Sequence, residues 1–275
     1  MPNFCCLSHY HPLPAFRAAV LRLMVVAVLS LAFYGLAAAQ DRSPVIAAAS
    51  DLRFALSDII TTFEKDTGHK VRVSYGSTGQ FAQQIRQGAP YQIFMAADEA
   101  YIADLHRLGL TMDEGDLYAE GRIVLMVPHG SKLKTDAHLD HLASLLDEKA
   151  IAHFAIANPD HAPYGARAKE ALIHKGIWPA IEPFLVLGEN VSQAAQFALS
   201  GNSEGGIIAY SLALSPQLKT RGRYALIPAD WHQPLRQRMV RLKGAGAIAE
   251  DFYAYMNTEK ARAIMRDYGF SLPES

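Results

Sequence analysis

Short apolar runs alternate along this chain with segments in which apolar side chains return every three or four positions. The runs are Val45–Ala49, Val71–Tyr75, Ile93–Ala96, Arg122–Val127, Phe154–Ala157, Phe184–Leu187, Ile207–Tyr210 and Met239–Leu242. They read as buried strands. Between them the spacing is helical. After the first run, Leu52, Ala55, Leu56, Ile59, Ile60 and Phe63 mark one face of a helix. Several of these segments stop at a glycine, at Gly68, Gly109, Gly176, Gly201 and Gly269, where a helix C-terminus favours that residue. Regular alternation of this kind predicts an α/β protein with mainly parallel sheets flanked by helices. No repeat and no low-complexity linker divides the chain. Two lobes that the chain crosses between twice fit that absence, with crossings expected around Gly121-Arg122-Ile123 and around Arg236–Val240. One lobe is then 40–121 plus 238–275, and the other 122–237.

Three junctions between a strand-like run and a helix-like segment carry small polar residues. Val45–Ala49 runs into Ser50, Val71–Tyr75 into Gly76-Ser77-Thr78-Gly79, and Phe184–Leu187 into Gly188-Glu189-Asn190 ahead of Val191. A helix N-terminus presents unpaired N–H groups and a partial positive charge, and nearby hydroxyls add donors. In α/β sheets such ends gather beyond the carboxyl ends of the strands. Convergence of several would make a pocket for a small oxyanion without any Lys or Arg. Taken singly, Ser50 reads equally as a helix cap and the Gly-Ser string as an ordinary turn.

Composition narrows the rest. Arg17 and Arg22 precede the uncharged apolar stretch Leu23–Leu36, and Ala37-Ala38-Ala39 follows. Residues 1–39 therefore read as a signal peptide cleaved before Gln40, with an uncleaved anchor as the alternative. Both cysteines, Cys5 and Cys6, lie in that leader. The remaining chain has no thiol for a disulfide, a metal or a nucleophile. Its length, roughly 236 residues, is ample for a core without disulfides. The whole sequence holds 26 basic and 27 acidic residues. The leader removes two arginines, so the exported chain is slightly acidic and carries no nucleic-acid footprint. The run Arg236, Arg238, Arg241 and Lys243 reads as a solvated strand edge. The histidines show no HExxH spacing and no cysteine partner, so no direct metal-cation ligands are expected.

An ordered set of strings resembles the periplasmic molybdate-binding proteins of ABC importers. It begins with Ala47-Ala48-Ala49-Ser50 and continues with Tyr75 through Ile85 and with Gly88 through Asp98. It goes on through Asn158-Pro159-Asp160-His161-Ala162-Pro163-Tyr164-Gly165, Glu189-Asn190-Val191 and Gly206 through Tyr210, and closes with Tyr268-Gly269-Phe270. The resemblance covers nearly all the chain beyond the leader. It implies a two-lobe periplasmic binding protein fold and capture of molybdate, with tungstate, for an ABC importer membrane permease. It also implies a monomer with no cofactor and no catalysis. The oxyanion ligands it implies are Ser50, Thr78 with Ser77 one position earlier, Tyr164, Val191 through its backbone N–H, and Tyr210. Asp51, next to Ser50, is expected to point to solvent, because the opposite helix face carries the apolar residues. A sulfate or phosphate binder is the nearest alternative. An exported serine hydrolase using Ser50 or Ser77 is a more distant one, since it needs a nearby histidine and acid, and only His161 adjoins the loops.

Overall fold

The computed structural model describes residues 43–273, so the leader expected at 1–39, with Cys5 and Cys6, lies outside the described residues. Ten strands form two five-stranded sheets. In chain order they are β1 (Val45–Ala49), β2 (Arg72–Gly76), β3 (Ile93–Ala96), β4 (Asp116–Gly121), β5 (Ile123–Pro128), β6 (Phe154–Ala157), β7 (Leu185–Gly188), β8 (Gly205–Ala209), β9 (Gly222–Leu226) and β10 (Leu235–Arg241). The first sheet has the order β2-β1-β3-β10-β4 and the second β7-β6-β8-β5-β9. In each, three strands run parallel and the fourth is antiparallel to both of its neighbours. The sheets are thus mixed, and the antiparallel member of each is the strand that arrives directly from the other sheet.

The chain leaves the first sheet at Arg122, which separates β4 from β5. It returns between β9 and β10. Because β10 pairs with β4 from Leu235 onward, the return falls within 227–234, ahead of the expected Arg236–Val240, and residues 235–237 go with the first sheet. Two strands escaped the sequence pattern. Asp116–Gly121 and Gly222–Leu226 are edge strands interrupted by charged residues, Asp116 and Glu120 in the one and Arg223 in the other. The basic run is another correction. β10 is an interior strand, and Arg236 and Arg238 pair with Glu99 while Arg241 pairs with Asp113 and Glu250.

The helices used below are α1 (Arg53–Thr67), α2 (Thr78–Arg86), α3 (Glu99–Arg107), α4 (Asp140–Asp147), α5 (Pro163–His174), α6 (Trp178–Ile181), α7 (Val191–Ala198), α8 (Tyr210–Leu214), α9 (Ala247–Tyr255) and α10 (Glu259–Asp267). α1 buries the face its sequence predicts, through Ala55, Leu56, Ile59 and Phe63. Phe63 meets Phe252 of α9 edge-on at 5.1 Å and Tyr255 at 5.3 Å. Burying a ring of that size contributes about 1.5–3 kcal/mol. α1 stops at Gly68, whose φ of 75° suits a residue without a Cβ, and the Gly68 N–H donates to Glu64 O at 2.9 Å. The first sheet is covered on its other face by α2 and α3, through Phe81, Ala82, Ile102 and Leu105. The second sheet has its own core around Phe154, Ile156, Ile207 and Leu212.

Candidate functional site

The carboxyl ends of β1, β2, β6 and β7 face a small cavity of about 10 Å³. Ala49, Ser50, Asp51, Gly76, Ser77, Thr78 and Ala97 wall it from the first lobe. Ala162, Pro163, Tyr164, Asn190 and Val191 wall it from the second. Four helical starts meet there: the single 3-10 turn Ser50–Leu52 leading into α1, and the first turns of α2, α5 and α7. Each has local reasons to begin where it does. Ser77 is extended ahead of α2, Pro163 occupies the first turn of α5, and Asn190 Oδ1 accepts from the Gln193 N–H at 3.1 Å to cap α7. The wall contains no Lys or Arg. Its attraction for an anion comes from helix-end amides and hydroxyls.

Hydroxyl bonding decides which groups have a proton to give. Ser50 Oγ accepts from the Ser192 N–H at 3.2 Å, and Thr78 Oγ1 accepts from the Ala97 N–H at 3.0 Å. Acceptance leaves each hydroxyl proton free to donate. Ser77 differs, because its Oγ lies 2.5 Å from the His161 carbonyl oxygen, to which it donates, and 2.9 Å from His161 Nδ1. Of the two neighbours, Thr78 is the freer donor. Val191 offers the backbone N–H of the first residue of α7, a position with no partner inside the helix.

Asp51 overturns its expected place. It is 1% exposed, and it forms part of the cavity wall. The short 3-10 turn that precedes α1 rotates it inward, off the α-helical face that was extrapolated backwards from Leu52 and Ala55. Gln237 Nε2 donates to Asp51 Oδ2 at 2.7 Å, and Tyr164 Oη donates to the same oxygen at 3.0 Å. Oδ1 has no hydrogen-bond partner. Burial pushes the Asp51 carboxyl up to about 6, against partial relief from the bonds of Gln237 and Tyr164 and, less, from the nearby backbone N–H groups of Asp51 and Leu52. Burial also raises the Tyr164 and Tyr118 phenols well above their ordinary value, with the Asp51 charge adding to both. Tyr118 Oη donates to Gln237 Oε1 at 2.8 Å, so four residues from β4, β10, α5 and the Ser50 turn share one buried network.

The structure brings Ser50, Ser77, Thr78, Tyr164 and Val191 to one cavity. It does not bring Tyr210. That residue follows the end of β8, and its N–H donates to Arg122 O at 2.9 Å. Its ring lies 5.5 Å from the Tyr224 ring and packs onto Gly269, where a Cβ would sit 2.6 Å from Tyr210 Cε1. The ring is therefore held on the side of the chain's C-terminal turn, away from the wall. Residues that the sequence pattern missed also matter. Ser192 Oγ donates to Ser50 O at 2.8 Å, and Ser211 Oγ donates to Asp51 O at 2.9 Å. The Gly79 N–H donates to His161 O at 2.9 Å, and Gln80 Nε2 donates to Glu189 Oε2 at 2.6 Å. These bonds join the lobes around the cavity. Gln237 is flanked by Arg236 and Arg238, so nothing in the pattern singled it out.

A larger cleft of about 590 Å³ includes Asp98, Glu99, Arg167, Arg236 and Arg238. The charges just named are paired within the protein, Arg167 with Asp98 and Arg236 and Arg238 with Glu99. Among the described residues, no group of three or more His, Asp or Glu side chains is arranged to hold a metal ion.

This chain belongs to the family of bacterial extracellular solute-binding proteins, whose pattern it matches over residues 44–271. Within that class its relatives share a narrower name. It is 36% identical to the molybdate-binding protein ModA of Azotobacter vinelandii, over 86% of this chain and 92% of that protein. It is 34% identical to ModA of Rhodobacter capsulatus, over 86% of this chain and 91% of that one. The solved structure of the Azotobacter vinelandii periplasmic molybdate-binding protein superposes with a TM-score of 0.75 at 31% identity, covering 85% of this chain and all of that one. The sulfate-binding protein SubI of Mycobacterium tuberculosis shares the fold at a TM-score of 0.69 but only 14% identity.

Proposed function

We propose that this chain is an exported, periplasmic binding protein that captures molybdate, and tungstate with it, and delivers it to the membrane permease of an ABC importer. The observation that carries this reading is a wall of four helix starts and free hydroxyls with no cation, in a chain whose relatives are named for molybdate. The proposed ligands are the hydroxyls of Ser50 and Thr78, the Val191 N–H, Ser77 once it leaves His161, and the Tyr164 hydroxyl once its proton turns from Asp51 Oδ2, which Gln237 still holds. All of these contacts go to oxygens, none to the metal. A fully ionised tetrahedral dianion suits such donors, each charge-assisted bond being stronger than a neutral one. The protein acts as a monomer, without cofactor and without turnover.

The cavity has room for about one water molecule. A tetrahedral oxyanion is larger, so the interlobe bonds at Ser192, Ser211 and His161 must lengthen as it enters. Binding then favours one degree of lobe closure over another, which is a state a permease can recognise. One observation favours a second reading. An ionised Asp51 in the wall would accept the proton of hydrogen phosphate. A thermal-shift panel separates the two. Molybdate and tungstate at a thousandfold excess over Kd should stabilise by about 4 kcal/mol, with little effect from sulfate or phosphate. A phosphate shift equal to that of molybdate would overturn the proposal.

A further inference from the structure

The cavity contains one group that a pure anion cage does not need, the Asp51 carboxyl. Its two oxygens are unequal. Oδ2 receives both donors, from Gln237 and Tyr164, while Oδ1 is buried in the wall without a partner. Oδ2 already accepts from two donors, so a proton on this carboxyl belongs on Oδ1. There it converts the one bare acceptor in the wall into a donor. An ionised Asp51 beside a dianion in so small a space would repel it, and like charges at one site drive protonation of the weaker acid.

We propose that Asp51 couples anion capture to the uptake of one proton: it enters the complex as a neutral carboxylic acid whose Oδ1–H donates to an oxygen of the bound dianion. The proton comes from solvent, and it returns there when the anion leaves. This rests on the reading of the cavity as an oxyanion site. Asp51 then acts as a specificity-determining residue. Once neutral it offers a donor, which suits a fully ionised oxyanion and gives nothing to the proton of hydrogen phosphate. The carboxyl is already raised to about 6 in the protein without ligand, so the proton is available at modest cost.

The titratable groups facing Asp51 are Tyr164 of α5 and Tyr118 of β4, both held neutral by burial. Gln237 of β10 and Ser211 of α8 are the uncharged neighbours. Across the cavity, His161 contacts Ser77 and lies 3.6 Å from Glu189.

Isothermal titration calorimetry with molybdate, between pH 5 and 8.5 and in two buffers of different ionisation enthalpy, counts the protons taken up. With a free carboxyl at about 6, capture at pH 7 should take up about 0.9 proton. Kd should rise nearly tenfold per pH unit above pH 7 and level off below pH 6. Asp51→Asn supplies a permanent amide donor in place of Oδ1–H. Its Kd should be flat with pH, its proton uptake near zero, and its binding at pH 8 tighter than that of the parent. A parent that binds molybdate with no proton uptake would overturn the proposal, whether or not the variant folds. So would an Asp51→Asn variant that keeps the parent's pH slope, since the proton would then be taken up elsewhere. Absence of molybdate binding by both proteins at every pH would remove the oxyanion reading itself, a failure distinct from a flat pH profile.

Discussion

Asp51→Asn should stabilise the ligand-free protein at alkaline pH. The Asp51 carboxyl stands at about 6 against an ordinary 3.8, because burial disfavours its charge. That difference is worth about 3 kcal/mol. The sign follows from linkage. A carboxyl raised in the folded state contributes its stability fully below about pH 3.8, and loses it as pH climbs through about 6. Above pH 7 the folded protein therefore carries the whole penalty. Asparagine removes the charge and keeps an oxygen for Tyr164 and Gln237. It also places an amide where Oδ1 has no partner, at a cost of about 1 kcal/mol. The net gain is about 2 kcal/mol at pH 8, falling to about 0.5 kcal/mol at pH 5, where the parent carboxyl is mostly neutral. For a chain of this size that is roughly 4–8 °C in Tm at pH 8. Urea denaturation of both proteins without molybdate at pH 5 and pH 8 reads the two differences. A variant no more stable than its parent at pH 8, or a gain that does not shrink at pH 5, would refute the argument that Asp51 is a buried, strained charge.

Two further substitutions test the neighbourhood. A Cβ on Gly121 would lie 2.2 Å from Tyr164 Oη and 2.8 Å from Gln237 Nε2. Gly121→Ala should therefore displace the network, costing about 1–3 kcal/mol in denaturation and weakening molybdate binding in calorimetry; unchanged values would mean the backbone there yields freely. Tyr210→Phe should leave molybdate affinity within about twofold, whereas Ser50→Ala should lose about 1.5–3 kcal/mol. A larger loss at Tyr210 would restore it to the ligand set.

Much of the fold was legible because its signals are local. Eight apolar runs mark eight of the ten strands, and Gly68 ends α1 through its own conformation. What escaped depends on tertiary context. β4 and β9 are edge strands, so their polar residues masked them. The return crossing was displaced because the basic residues of β10 look like a boundary, yet they fold as an interior strand once Glu99, Asp113 and Glu250 pair with them. Within the site, Ser50, Thr78 and Val191 follow from helix starts after strands. Asp51 was misplaced because helical periodicity was extended through a 3-10 turn, and one residue of different winding moved a carboxylate from solvent to the cavity. Tyr210 was misplaced because strand ends fix backbone positions but not where a large ring finds space.

The wall poses a problem of charge balance that its chemistry resolves in a particular way. Burying a dianion without a countercharge is costly unless its oxygens are fully bonded. An arginine would supply both charge and donors, but a permanent cation is indifferent to whether the anion carries a proton. Helix-end amides impose a stricter demand, since they only donate, and the Ser50 and Thr78 hydroxyls already accept from the protein and have their protons left to give. Asp51 at first appears to spoil that arrangement, being the one carboxylate in the wall. Its position resolves the conflict. Gln237 and Tyr164 hold Oδ2 and leave Oδ1 as the place for a proton. A dianion drives the proton on, so the last acceptor becomes a donor only when a fully ionised ligand arrives. Selectivity would then reside in a proton equilibrium as well as in the size of the cavity.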